Sequence, residues 1–170
     1  TVIQTNGSTG RGGSITTSAN SGNISISSAL ESIGATQVGN ILITANNISI
    51  ENNSSITATG NAGGGAVLVG GDWQGGNGVY QATTVTMKLG AVIDASALIN
   101  GDGGKVVLWS DVSNLNSVTS VQGVIYAKGG VSGGKGGRVE TSSATVNIEQ
   151  GFVSTLAFDG SAGDWLIDPP

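Results

Sequence analysis

Six copies of one short phrase recur along the chain: a glycine, one variable residue, then apolar side chains at alternate positions. The copies begin at Gly13, Gly39, Gly65, Gly104, Gly137 and Gly163. Their spacings are 26, 26, 39, 33 and 26, so three intervals are equal and two exceed them by 13 and 7. Self-similarity with a period of a few tens of residues marks a solenoid, in which one copy cannot bury a core and stacked neighbours can. An all-β sandwich also accounts for short strands and glycine-rich turns, but not for the 26-residue phase.

Inside each copy the alternation has period two, which is the period of a strand. A second apolar pair follows the phrase as Ile48 and Ile50, as Val146 and Ile148, and as Val85 and Met87 once an 11-residue insertion is removed. A third segment comes as Ser55-Ile56-Thr57-Ala58, Val92-Ile93-Asp94-Ala95 and Val124-Ile125-Tyr126-Ala127, and each runs into a glycine-rich corner. One repeat therefore holds three short strands and three turns. Stacked coil on coil at about 4.8 Å, equivalent strands pair in parallel and like side chains meet inward. The pattern predicts a parallel β-helix of about six coils of roughly 26 residues, with insertions in the third and fourth. Residues 1–170 form one such segment, and strand-like Thr1-Val2-Ile3-Gln4 and the stop at Pro169-Pro170 suggest a piece internal to a longer rod.

Columns through the stack follow from counting. Two after each glycine stand Ile15, Ile41, Val67, Val106, Val139 and Trp165, and four after it Thr17, Ile43, Val69, Leu108, Thr141 and Ile167; both should face inward. Between them lie Thr16, Leu42, Leu68, Val107, Glu140 and Leu166, an outward column that is mostly apolar. An exposed apolar stripe needs cover. The insertion at residues 70–83 carries Trp73 and Tyr80, and it is expected to pack on the outside of the helix near Leu68 and Val107. Trp73, Gln74 and Tyr80 are then the candidate contact surface.

The chemical inventory is thin. There is no Cys and no His, so thiolate chemistry, disulfides and the commonest general base are excluded. Net charge is −5 and the six basic residues do not cluster along the chain, so the footprint of a nucleic-acid binder is missing. No apolar run is long enough for a membrane helix. Gly10-Arg11-Gly12-Gly13 and Gly101-Asp102-Gly103-Gly104 lack the helix and lysine of a phosphate loop, and no cofactor is expected. Seven after each glycine stand Asn20, Asn46, Asp72, Asp111, Ala144 and Pro170. If that register holds, Asn20 stacks on Asn46 and Asp72 on Asp111, and the carboxylate pair reads either as a turn column or as a calcium site. The turn reading is preferred, and no metal is assigned. Arg11 and Arg138 fall in different phases of the repeat, so no basic cluster meets these acids.

The combined text Val67-Leu68-Val69-Gly70-Gly71-Asp72-Trp73, Gly103-Gly104-Lys105-Val106-Val107-Leu108-Trp109-Ser110-Asp111, Gly136-Gly137-Arg138-Val139-Glu140-Thr141-Ser142 and Gly163-Asp164-Trp165-Leu166-Ile167-Asp168-Pro169 resembles the filamentous-haemagglutinin-like exoproteins and adhesins of two-partner secretion. The resemblance covers most of residues 60–170. It implies an all-β, right-handed parallel β-helix in a secreted or surface-exposed bacterial fibre. The family's Asn-Pro-Asn-Gly-Ile-type secretion motif is not matched, so transporter recognition is not carried over.

Three classes of function follow. The favoured one is a non-enzymatic shaft or adhesin segment that meets a host or cell-surface glycan or protein, or a second copy of itself, with no nucleic acid and no membrane insertion. The alternative is a carbohydrate-binding or polysaccharide-degrading β-helix. An ice-binding face is disfavoured, because the outward column reads Thr16, Leu42, Leu68, Val107, Glu140, Leu166 rather than a run of threonines.

Overall fold

The computed structural model describes residues 2–36 and 38–168. Thr1, Gln37, Pro169 and Pro170 lie outside the described residues, and with them the expected first residue of the opening strand and the proline stop. The strands, in chain order, are β1 (Val2–Gln4), β2 (Ile15–Ile26), β3 (Ala29–Glu31), β4 (Asn40–Ile50), β5 (Ser55–Thr57), β6 (Ala66–Val69), β7 (Thr84–Met87) and β8 (Val92–Asp94). They continue as β9 (Lys105–Trp109), β10 (Val118–Val121), β11 (Val124–Tyr126), β12 (Arg138–Ser142), β13 (Thr145–Asn147), β14 (Phe152–Ser154) and β15 (Asp164–Asp168). The remaining regular element among the described residues is a 3-10 turn at Trp73–Gly75.

The molecule is all-β, and every pairing between these strands is parallel. One sheet has the order β1-β3-β5-β8-β11-β14 and contains the third segment of each repeat. The other runs β13-β10-β7-β4-β6-β9-β12-β15, with β2 beside β4. It bends into two faces at β4, whose residues 41–43 pair with β6 while residues 47–50 pair with β7. Each strand pairs in parallel with the equivalent strand one repeat away. Parallel ladders of this kind are favoured by the Val, Ile and Thr that fill them.

The register follows the glycine count. Ile15, Ile41, Val67, Val106, Val139 and Trp165 are successive partners, as are Thr17, Ile43, Val69, Leu108, Thr141 and Ile167. In the middle of the stack both columns are fully buried, and Ile56, Ile93 and Ile125 meet them from the other sheet. Each such side chain removed from water is worth about 1.5–3 kcal/mol. The columns loosen at β15, where Trp165 is half-buried and Ile167 is 44% exposed, because no further described strand covers them.

Two features depart from the simple repeat. In the first two coils the first and second strands are fused into the long β2 and β4, joined only by a bulge between Ala19 and Asn23. Small residues at that bend let the ladder continue. Insertions interrupt it in the third and fourth coils, and in the fifth only Ser143 and Ala144 separate β12 from β13. In the fourth coil the second apolar pair is replaced by Thr119 and Val121, paired to Val85 and Met87. Thr119 is fully buried, and its hydroxyl lies 3.0 Å from Ser110 Oγ and donates to the Ser142 carbonyl at 3.0 Å. The buried hydroxyl is thereby satisfied.

The phrase glycine is explained by close approach. A Cβ on Gly104 would fall 1.9 Å from the Gly65 carbonyl oxygen, and one on Gly137 would fall 2.1 Å from that of Gly104. Backbone stacks on backbone at this corner, and a side chain cannot enter.

Candidate functional site: the outer-face insertion

The chain leaves the stack after Gly70 and rejoins it at Ala82, whose N–H donates to the Gly70 carbonyl at 2.8 Å. Gly70 makes the exit at φ 77, a left-handed conformation that disfavours a side chain. Residues 71–81, inside the expected 70–83 span, form the excursion. They lie against β9 and β12.

Three contacts seat the excursion. The first is Asp72, which is buried and accepts from the Trp73 N–H at 2.7 Å, Asn77 Nδ2 at 2.6 Å and Lys105 Nζ at 2.6 Å. Burial opposes ionisation of Asp72, but these three donors together outweigh it and hold its pKa below the ordinary value. The second is Trp109, buried beneath the loop, whose indole N–H donates to Gln81 Oε1 at 2.8 Å. Gly71 and Gly75 leave room for its ring, since a Cβ on either would come within 2.5 and 2.8 Å of it. The third is Glu140, fully buried in the outward column. Its Oε2 accepts from the Gln74 N–H at 2.8 Å and its Oε1 from Ser142 Oγ at 2.9 Å.

Glu140 has no ion-pair partner among the described residues. Burial pushes its pKa up; the two hydrogen bonds offset this only in part, and the nearby Asp168 and Asp72 charges add to it. Gln74 reaches this carboxylate with φ 51, an uncommon conformation for a residue with a side chain. Trp73 is half-buried under the Arg138 guanidinium, 4.6 Å from the ring centroid. Such a contact is worth about 0.5–1 kcal/mol at an exposed site. Gln74 and Tyr80 are exposed, Val107 is fully buried and Leu68 is half-buried. The loop thus shows the Gln74 and Asn77 side chains and the Tyr80 phenol to solvent while its tryptophan is gripped from the side.

Two expectations are corrected. Asp72 does not stack on Asp111, because counting seven from Gly65 runs into the excursion rather than along the stack. Asp111 instead accepts from the Ser113 N–H at 2.9 Å and Ser113 Oγ at 2.7 Å, while its own N–H donates to the Ala82 carbonyl at 2.8 Å. Nor does Asn20 stack simply on Asn46: Asn20 accepts from Ser18 and Thr44, and Asn46 from Thr83. The basic residues, scattered in sequence, do gather in space. Lys105 and Arg138 are partners on adjacent strands and both reach the insertion.

Reading by sequence missed Lys105, Trp109 and Glu140 as parts of this site. Glu140 carried a usable signal, a lone carboxylate in a column that is otherwise apolar or Thr. Trp109 carried a weaker one, a large aromatic following the alternation with glycines at 71 and 75 upstream.

The fold and this site define a class: an all-β stack of parallel strands with a clamped loop on its outer face. Neither a family model nor a curated protein sequence matches the chain. Its fold is similar to that of the HMW1 secretion domain from Haemophilus influenzae, with a TM-score of 0.67 and 24% identity over 92% of this chain. The matched region spans 43% of the length of that structure.

Proposed function

We propose that the chain is a structural shaft and adhesin segment of a large secreted or surface-exposed bacterial exoprotein of the filamentous-haemagglutinin-like kind. In this reading it is a right-handed parallel β-helix of about six coils. It has no enzymatic activity of its own and presents the loop bearing Trp73, Gln74 and Tyr80 to a cell-surface glycan or protein, or to a second copy. The observation that carries the reading is the seating of the loop. A buried carboxylate, a buried tryptophan and an ion pair hold a surface loop in one shape, which lowers the ordering cost of binding a partner. The fold similarity to a domain of secretion supports export and the two-partner setting.

The test uses beads coated with the chain and offered to epithelial cells and a glycan array, beside Trp73→Ala and Tyr80→Ala, with sedimentation read in parallel for self-association. The reading expects binding or self-association that falls at least about tenfold in the variants, the loss of one central aromatic anchor. Binding that is absent, or unchanged in both variants, contradicts it.

A further inference from the structure

The glycine corner that permits close stacking also empties that edge of side chains, and the result is a trough. Its main part is an open groove of about 530 Å³ whose floor includes Gly64, Gly65, Gly103, Gly104, Gly136 and Gly137. Lys105, Lys135 and Arg138 stand in its walls, with Asp102 and Asp164. A second depression shares Val38 and Gly64 with it and adds Arg11. Four of the six basic residues of a molecule with net charge −5 therefore border one feature, against two carboxylates.

The floor amides are already used. Gly64 donates to Asp102, Gly65 to Ala58, Gly103 to Lys135, Gly104 to Ala95, Gly136 to Ser161 and Gly137 to Ala127, each through the backbone. A ligand must be held by the side chains of the walls. Lys135 and Arg11 are exposed and make no ion pair among the described residues. Arg138 is exposed, its guanidinium carbon lies over the Trp73 ring, and it makes no ion pair among the described residues. Asp102 is tied to the corner by accepting from the Lys135 N–H at 2.8 Å.

We infer that this trough binds an extended acidic polysaccharide lying along the stack axis, across successive coils. The cations sit on different coils, Arg11 ahead of β2 and Lys135 and Arg138 at β12, while the Lys105 ammonium on β9 is already paired with Asp72. Adjacent strands are about 4.8 Å apart, a step comparable to one sugar unit of an extended glycan. Their charge is sparse, which suits a polymer with about one anion per sugar or fewer. Among the described residues no aromatic ring lines the trough to stack a base, which disfavours a single-stranded nucleic acid. The inference concerns a different surface from Gln74 and Tyr80 and holds whether or not the loop is adhesive.

The experiment is titration of the whole chain at low salt with four probes: polygalacturonate, dextran sulfate, neutral dextran and oligothymidylate. Wild type is compared with the Arg11→Gln/Lys135→Gln double variant and with Lys128→Gln, whose ammonium lies over Tyr126 away from the trough. Both altered residues of the double variant are exposed, so folding is preserved, and circular dichroism verifies it. The expected result is binding of one or both acidic polysaccharides, weakened by salt, reduced about tenfold in the double variant and unchanged in Lys128→Gln. Polygalacturonate binding alone assigns carboxylated polymers, and dextran sulfate binding alone assigns sulfated ones. The inference is overturned if neither acidic polymer binds, if neutral dextran binds equally, if the double variant matches wild type, if Lys128→Gln weakens binding as much as the double variant, or if oligothymidylate binds more tightly.

Discussion

Glu140 is the residue on which the outer face turns. Its carboxylate is enclosed and has no ion-pair partner among the described residues, so burial raises its pKa above the ordinary 4.5 although two hydrogen bonds oppose the shift. A carboxyl whose folded pKa is raised contributes stability that is fully present below its ordinary value and lost as pH rises through the folded value. Asp72 behaves oppositely: its pKa is lowered from 3.8, so its contribution is present above that value and lost as pH falls through the folded one. Loop seating should therefore be firmest near pH 4 and weaken toward neutrality. Glu140→Gln keeps an acceptor for Gln74 and removes the charge. It should raise the melting temperature at pH 7 and flatten its slope between pH 4.5 and 7; an unaltered slope would show that another group titrates. At the stack interior, Val106→Asp places an unpaired charge in a closed column and should cost more than about 4 kcal/mol in denaturant unfolding. Near-native stability of that variant would mean that Val106 does not face inward. Gly104→Ala should cost about 3 kcal/mol, since backbone and not a flexible side chain blocks the new methyl. Asp72 and Asp111 belong to separate hydrogen-bond networks, so chelation with EDTA should leave the melting temperature unchanged. A fall that Asp111→Asn abolishes would instead assign calcium to Asp111.

Among the elements, the loop of residues 71–81 and the strands beneath it form one unit. Replacing the loop with a short glycine linker should leave the parallel ladder intact, because Gly70 and Ala82 already lie in hydrogen-bond contact. It should also expose Val107, Trp109 and Glu140, lower the melting temperature and blue-to-red shift the Trp109 emission. A collapse of the far-ultraviolet β signal would show that the loop is required for the stack. The ladder itself was readable from glycine counting, because the backbone clash at Gly39, Gly65, Gly104, Gly137 and Gly163 forces the same residue at the same phase in each coil stacked on an earlier one. The third segment was readable for a related reason, since Ile56, Ile93 and Ile125 occupy one buried column. What sequence could not show is lateral packing. Asp72 and Lys105 are 33 positions apart and meet only because one strand step brings β9 beside β6. The fused β2 and β4 were missed because a bend made of Ala, Asn, Ser and Gly looks like a turn whether or not the ladder continues through it. The fourth coil's Thr119 was missed because a hydroxyl stands where the pattern calls for a methyl group, and its cost is met by neighbouring Ser110 and Ser142.

On the scale of the whole molecule, the strands give a repetitive scaffold and the insertion and glycine corner give two distinct surfaces, one with exposed Gln74 and Tyr80 and one with most of the basic residues. Both depend on the same claim, that successive coils stack in register whatever the length of the segments between them. Spin labels on the outward column Ser25, Ser49, Thr86, Ser120 and Asn147 test it directly, because these residues are successive ladder partners separated by 24, 37, 34 and 27 positions in sequence. Distances from a label at Ser25 should grow by about 4.8 Å with each coil and reach about 19 Å at Asn147, before a constant contribution from the linkers. Distances that follow sequence separation, or that fail to increase from coil to coil, would contradict the stacked parallel fold and everything built on it.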